Sequence, residues 1–278
     1  MAMVGTELCQ KTALITGASS GIGKAAAVAL TKAGYRVIGT SRSAKPDEVR
    51  DGIRLIACDV TSDESVAAAV ALAHAELGQI DLLVNNAGFG IVGGAEESSL
   101  DQSRAIFETN FFGCIRMIKA VLPQMHQQGS GRIINMSSVL GRVPAPFSAL
   151  YSATKHAIEG YSESLDHEIR KFNIRSILIE PAFTKTNFSQ NDMAADDELP
   201  IYEQARKRVI AFSKNAMETQ ADSADVVARV IVQAAADQKP RVRYTAGSTA
   251  AKMMKMRRFV PERFFDSAVR KAFQLDKQ

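Results

Sequence analysis

"TGASSGIG" at residues 16–23 decides the architecture. It follows a short apolar run, "TALIT" (12–16), and opens an alanine-rich helical stretch over about 21–33. Gly17, Gly21 and Gly23 at a strand-to-helix turn permit a tight bend, close approach of backbone to a pyrophosphate, and close helix–strand packing. The helix behind them offers unpaired N–H groups and the positive end of its dipole to phosphates. A glycine cluster alone is unspecific, so its meaning depends on what surrounds it.

Outward from that turn, strands and helices alternate. "YRVIGTS" (35–41), "GIRLIACDV" (52–60), "IDLLVNNAG" (80–88), "GRIINMSS" (131–138) and "NIRSILIEP" (173–181) read as strands, and "RVRYTAG" as a last short one. Helices are expected over 63–77, roughly 100–127 and about 148–171. Near-continuous Val/Ile/Leu runs, rather than alternating ones, point to strands buried on both faces. The expectation is one α/β domain over 1–278: a Rossmann-type, doubly wound parallel sheet of about seven strands with helices on both faces. Two regions break the rhythm. Residues 182–200 form a long polar loop, so 182–215 is expected to act as a substrate lid. Residues 245–278 look like a basic helical appendage.

The chain has 278 residues, 46% hydrophobic and 23% charged, which suits a globular protein with a substantial core. Three distant cysteines, Cys9, Cys58 and Cys114, argue against a disulfide framework or a cysteine zinc site. Four scattered histidines lack ligand spacing, so no metal is expected. No apolar run reaches the roughly 18 residues that span a bilayer, and the first residues do not read as a secretory signal. The cytoplasm is the expected location. Net charge is +4, yet residues 241–278 hold ten Lys/Arg against Glu262, Asp266 and Asp276. The tail is basic and the rest slightly acidic.

Taken with "NNAG" (85–88) and "YSATK" (151–155), the G-x-x-x-G-x-G turn resembles the short-chain dehydrogenase/reductase family, over residue 11 to about 188. Within it, the stretches "EPAFTKTNF" and the tail are similar to its hydroxysteroid and retinol dehydrogenase members. A long-chain Rossmann dehydrogenase with a separate substrate domain would need more chain. The end of the second strand selects the dinucleotide: an acid holds a ribose 2′-OH, whereas an arginine accommodates a 2′-phosphate. "GTSRS" (39–43) has no acid before Asp47, and Arg42 stands where NADP(H)-using members often carry a basic residue. NADP(H) is therefore the expected cofactor, with a solvated loop arginine as the alternative reading of Arg42. The resemblance implies cofactor contacts from Gly17, Ser19, Ser20, Gly21, Ile22 and Gly23, and from Ser41, Arg42, Asp59 and Val60. It further implies Asn86, Ala87 and Gly88, with Asn85 on the adenosine side, and Pro181, Thr184 and Thr186 at the nicotinamide. Ala182 departs from the family's usual glycine in that last loop.

Tyr151 and Lys155 lie one helical turn apart. In isolation such a pair is either a device for moving a proton or an aromatic beside a solvated lysine. Ser138, thirteen residues upstream, matches the interval of the family's catalytic serine, and Asn110 in "ETNFFG" matches its asparagine. Asn110 also has a purely structural reading, as a residue that caps or kinks its helix. A free tyrosine, with pKa about 10, ionises too late for neutral pH. Lys155 and the positive ring of an oxidised nicotinamide would favour the phenolate. Tyr151 is then the general acid or base, and Ser138 holds the substrate oxygen. The resemblance gives Lys155 the nicotinamide ribose as well, and Asn110 a water that relays protons to Lys155.

The loops over the strand ends contain Phe89, Val139, Leu140, Phe147 and Phe188, which read as an apolar pocket or as core packing. The expected substrate is a hydrophobic carbonyl or alcohol: a steroid, retinoid, fatty-chain ketone or xenobiotic carbonyl. The tail has three readings: a pocket cover, a weak peripheral membrane contact, or an oligomer contact. The resemblance implies a homodimer or homotetramer through the helices at 100–127 and 148–171, and no motif supports nucleic-acid binding. Two other functions compete: a dinucleotide-binding sensor or scaffold without turnover, and an NAD-dependent alcohol dehydrogenase of the same family.

Overall fold

The computed structural model describes residues 10–186 and 192–276. Its main strands are β1 (Thr12–Ile15), β2 (Arg36–Ser41), β3 (Ile53–Ala57), β4 (Leu82–Asn85), β5 (Gly131–Met136), β6 (Ile174–Pro181) and β7 (Arg243–Ala246). They lie side by side as β3-β2-β1-β4-β5-β6-β7, every neighbour parallel. A two-residue edge strand, Val49–Arg50, adds antiparallel to β3. The chain winds outward from β1 to β3, then returns to β1's other side with β4. The loops after β1 and β4 therefore diverge and open a crevice above the strand ends.

Nine α-helices occur among the described residues: α1 (Gly21–Lys32), α2 (Asp63–Leu77), α3 (Leu100–Phe107), α4 (Gly113–Gln128), α5 (Ala149–Ile169), α6 (Glu203–Thr219), α7 (Ala224–Ala236), α8 (Ser248–Phe259) and α9 (Glu262–Ala272). Alternate residues of β1 explain the two layers. Ala13 and Ile15 pack with Leu30 of α1 and Ile231 of α7, whereas Leu14 packs with Val66 of α2, Val121 of α4 and Leu165 of α5. Each fully buried Ile or Leu contributes about 2 kcal/mol. With both sheet faces covered, unbroken apolar runs are what the strands require.

Three features differ from the sequence expectation. The stretch expected as one helix over 100–127 is broken by a π-helical turn at Glu108–Phe112. Such a turn inserts one extra residue and redirects the side chains after it, and here it buries Asn110. Residues 203–236, to which the strand–helix alternation assigns nothing, form α6 and α7. The segment expected as a long polar loop is, in its described part, tied to its neighbours. Met193–Ala194 pairs in parallel with Ile91–Val92, and Glu97 fastens the chain from Leu199 to Arg206. Glu97 is fully buried, accepts the Gly94 and Leu199 N–H groups at 2.5 and 2.8 Å, and pairs with Arg206 of α6.

Asp166 of α5, also fully buried, bonds Arg170, Arg175 and the Ser176 N–H, and so fixes α5 to β6. No helix among the described residues is long and apolar enough to cross a membrane.

Candidate active site

The glycine turn after β1 is shaped by φ values of +64° at Gly17 and +56° at Gly21, open to glycine at no steric cost. A Cβ on Gly23 would stand 2.3 Å from the Gly17 carbonyl oxygen, so only glycine lets α1 begin so close to the turn. Ser20 precedes α1 with its side chain making no capping bond, and Ser19 is half-buried beside it. The free N–H groups of this helix start, on a cradle that a Cβ would fill, fit a pyrophosphate.

The "NNAG" loop is joined to the cradle by Thr16, whose hydroxyl accepts the Asn86 and Ala87 N–H groups at 2.9 and 3.0 Å. The two asparagines divide differently from the sequence expectation. The Asn86 amide donates back to the carbonyls of Thr16 and Gly17 at 3.0 and 3.1 Å, so its side chain braces the glycine turn. Asn85 does not face the adenosine side: strand register sets it opposite Asn135, to which it donates at 2.8 Å inside the sheet. Asn135 continues to the Ser162 hydroxyl at 2.9 Å, linking β4, β5 and α5.

At the end of β2, Ser41 is buried, and Arg42 is exposed with no hydrogen bond or ion pair among the described residues. Its charge acts on Asp59. Donation from the Thr61 N–H and hydroxyl, joined by Arg42 and Arg116, holds the Asp59 carboxyl below the usual range. Both Thr61 bonds fall on Oδ1, at 3.0 and 2.8 Å. Val60 is buried against α4. A dinucleotide 2′-phosphate would meet an unpaired guanidinium at Arg42.

Thr186 leans against Gly21, which brings the loop after Pro181 over the start of α1. Thr184 bonds the Ala182 carbonyl at 3.1 Å. Ala182 is not among the residues with positive φ, so alanine in place of glycine introduces no backbone strain.

Tyr151 and Lys155 share one face of α5 with Glu159. The Lys155 ammonium lies 5.4 Å from the centre of the Tyr151 ring and donates to the Met136 carbonyl at 2.8 Å. Ser138 closes the group: its hydroxyl bonds the Tyr151 side chain and accepts the Leu140 N–H at 3.1 Å. Burial moves both titrating groups away from their ordinary values, with the Tyr151 phenol pushed up and the Lys155 ammonium pushed down. Desolvation, joined by the charge of Asp192, outweighs the Ser138 bond and keeps the phenol protonated among the protein's own groups. The expected pull toward phenolate includes the positive ring of an oxidised nicotinamide, which comes with the cofactor.

The Asn110 side chain makes no direct hydrogen bond to Lys155. It clamps the Phe89 backbone, accepting its N–H at 3.0 Å and donating to its carbonyl at 2.9 Å, and donates to Thr154 at 3.3 Å.

One cavity of about 860 Å³ runs from Ile22, Gly88 and Thr186, past Ser138, Tyr151 and Lys155, to α6, α8 and α9. Val139 and Leu140 line it as expected. Phe89 and Phe147 do not: Phe89 is held by Asn110, and Phe147, at φ +59°, turns its ring onto Tyr202. Phe188 lies outside the described residues. The far wall is instead Phe183, Phe212, Met217, Met253, Phe265 and Phe273. The spacing 209, 212, 213, 216, 217 in α6 carried this signal, and the contributions of α8 and α9 place the tail against the pocket.

Two acidic features had no such signal. Asp192 lines the cavity near Tyr151. Behind the serine loop, buried Glu180 is pushed up to about 7 by burial and by Glu159, against the pull of Arg142 and Arg243. No group of metal-ligating side chains occurs among the described residues.

The chain matches the family model for short chain dehydrogenase over residues 11–197. It is 45% identical over 178 residues to a 3-ketodihydrosphingosine reductase of Bacteroides thetaiotaomicron, covering 64% of this chain and 65% of that protein. It is 40% identical over 190 residues to retinol dehydrogenase 8 of Homo sapiens, covering 64% of this chain and 60% of that protein. The chain thus spans less than two thirds of either relative. A solved short-chain dehydrogenase of Streptomyces avermitilis superposes with a TM-score of 0.78 at 32% identity, covering 99% of this chain and 98% of that one. A nicotinamide dinucleotide is the family's cofactor, and the glycine cradle and the β4 loop fit one. The chain is a short-chain dehydrogenase/reductase, an oxidoreductase of the short chain dehydrogenase family.

Proposed function

We propose that the chain reduces a ketone or aldehyde on a hydrophobic substrate with NADPH, and runs the reverse alcohol oxidation with NADP⁺. The observation that carries this is the Ser138–Tyr151–Lys155 group in the wall of an apolar cavity. When bound, the nicotinamide supplies or accepts hydride at the carbonyl carbon. The chain's part is the oxygen and its proton. The Ser138 and Tyr151 hydroxyls donate to the carbonyl oxygen and polarise it. Tyr151 then delivers its proton to that oxygen as negative charge develops there. A phenol kept protonated by burial suits donation, and so reduction. Lys155, behind the ring, stabilises the phenolate left after transfer.

Arg42 supports NADP(H) over NAD(H); solved relatives hold NADH in one case and NADP in another. The cavity wall and the names of the retinol and 3-ketodihydrosphingosine relatives support a long apolar substrate. The cytoplasm is the proposed location. A homodimer or homotetramer forms through α4 and α5, and exposed Phe112, just before α4, and Phe172, just after α5, support an apolar contact. Exposed Phe259 and Phe264, set among arginines, support a weak secondary contact with anionic membrane.

The test measures nicotinamide absorbance with NADPH and NADH against a panel of steroid, retinoid and fatty-chain carbonyls. Faster turnover with NADPH on long apolar carbonyls is expected. A preference for NADH would remove the role given to Arg42, and no turnover of any carbonyl would leave a dinucleotide-binding sensor.

A further inference from the structure

One carboxylate in the apolar cavity has no ion-pair partner among the described residues. Asp192 accepts the Gly90 N–H, while its Oδ1 is shut off from solvent and meets no donor among the described residues. The cations that line the same cavity are engaged or distant. Lys155 donates to the Met136 carbonyl at 2.8 Å, Arg206 pairs with Glu97 and Glu198, and Lys214 is exposed at the rim. Burial pushes Asp192 up to about 6, which still leaves it an anion at neutral pH. Its charge reaches Tyr151 and pushes the phenol higher. A carboxylate facing an apolar wall is unfavourable unless a cation or several donors meet it. The described residues provide neither, so the partner is sought in what enters the cavity.

We infer that Asp192 is a subsite for an ammonium group on the substrate whose carbonyl is held by Ser138 and Tyr151, with an apolar chain running along the same cavity. A hydroxyl would supply a donor but leave the charge uncancelled. An ammonium gives a charge-assisted bond, which is stronger in a water-poor site. The pairing also acts on the chemistry. With Asp192 neutralised, one influence holding the Tyr151 proton is gone, so an amine-bearing substrate eases the donation it needs. This subsite rests on the reductase reading for the carbonyl and goes beyond it in specifying a cationic amphiphile.

The test is calorimetric and does not depend on turnover. A medium-chain vicinal amino alcohol, its N-acetyl derivative and the plain secondary alcohol are titrated below their micelle concentrations into the full chain and into Asp192→Asn. Asparagine keeps an oxygen for the Gly90 N–H, and thermal unfolding confirms that the variant is folded. The native chain is expected to bind the amine at least about tenfold more tightly than either neutral analogue, and Asp192→Asn to bring that ratio to about one. Equal affinity for all three ligands, or an amine preference that survives in Asp192→Asn, overturns the subsite. The carbonyl panel distinguishes the two readings: amine selectivity without any turnover sinks the reductase, and turnover without amine selectivity sinks the subsite.

Discussion

The Lys155 ammonium stands 5.4 Å from the centre of the Tyr151 ring, and its proton goes to the Met136 carbonyl at 2.8 Å. The lysine thus acts on the phenol as a fixed charge. Tyr151→Phe removes the group placed to exchange a proton with the substrate oxygen, and carbonyl reduction should fall by about a hundredfold or more. Lys155→Met leaves the phenol but removes the charge that stabilises phenolate. Alcohol oxidation needs the phenolate, so its rate climbs with pH, and in Lys155→Met the climb should move to higher pH. Reduction needs the protonated phenol, which burial preserves through neutral pH. Initial rates in both directions against pH check this; an unmoved oxidation profile would remove Lys155 from the proton step.

Arg42, exposed and unpaired among the described residues, should act on one dinucleotide and not the other. Arg42→Ala loses a charge-assisted bond to a 2′-phosphate. The KM for NADPH should rise roughly ten- to hundredfold while that for NADH moves by less than about twofold. Steady-state kinetics with each dinucleotide at saturating carbonyl reads the difference, and a parallel rise for both would make Arg42 merely structural.

The dinucleotide half of this arrangement is legible in sequence because each part obeys a local rule. A strand ending in spaced glycines, and two residues four apart on a helix, carry their geometry with them. Asn85 and Asn86 show where local rules stop. Which of two adjacent asparagines faces the sheet depends on register with β5, and so on a strand fifty residues away. The substrate half is assembled from α6, α8 and α9, and its aromatics meet only after folding. Phe89 and Phe147 sit beside the right motifs, yet a clamp by Asn110 and a positive φ turn them elsewhere. Glu97 and Asp192 gain their meaning from burial alone, which no spacing announces.

Glu97 offers a direct test of the lid. Its carboxylate holds Gly94 on one side and Leu199 and Arg206 on the other, so it ties the wall after Asp192 to the loop after β4. Glu97→Ala leaves Arg206 with only Glu198, and removing one partner of a buried pair costs about 3 kcal/mol. Thermal unfolding should shift accordingly. The kinetic signature separates wall from chemistry: substrate KM should rise about tenfold with kcat within about threefold. A loss confined to kcat would mean that Glu97 acts on the proton step instead.

Asp166 sets an acid limit on stability. Burial alone would raise its carboxyl, but the bonds from Arg175, Arg170 and the Ser176 N–H outweigh burial and hold it below the usual range. The unfolded chain, with an ordinary aspartate near pKa about 4, therefore takes up the proton first. The stabilisation is complete above that value and is lost as pH falls through the lower, folded value. Asp166→Asn keeps the size but leaves Arg170 and Arg175 facing a neutral group, at a cost of about 3 kcal/mol, or roughly 8 °C in Tm at neutral pH. Denaturant melts of both proteins from pH 7 down to acid should show that gap narrowing below pH about 4, because protonation removes from the native protein what the substitution removed already. A gap that stays constant with pH would mean that the substitution acts through packing between α5 and β6, and not through charge.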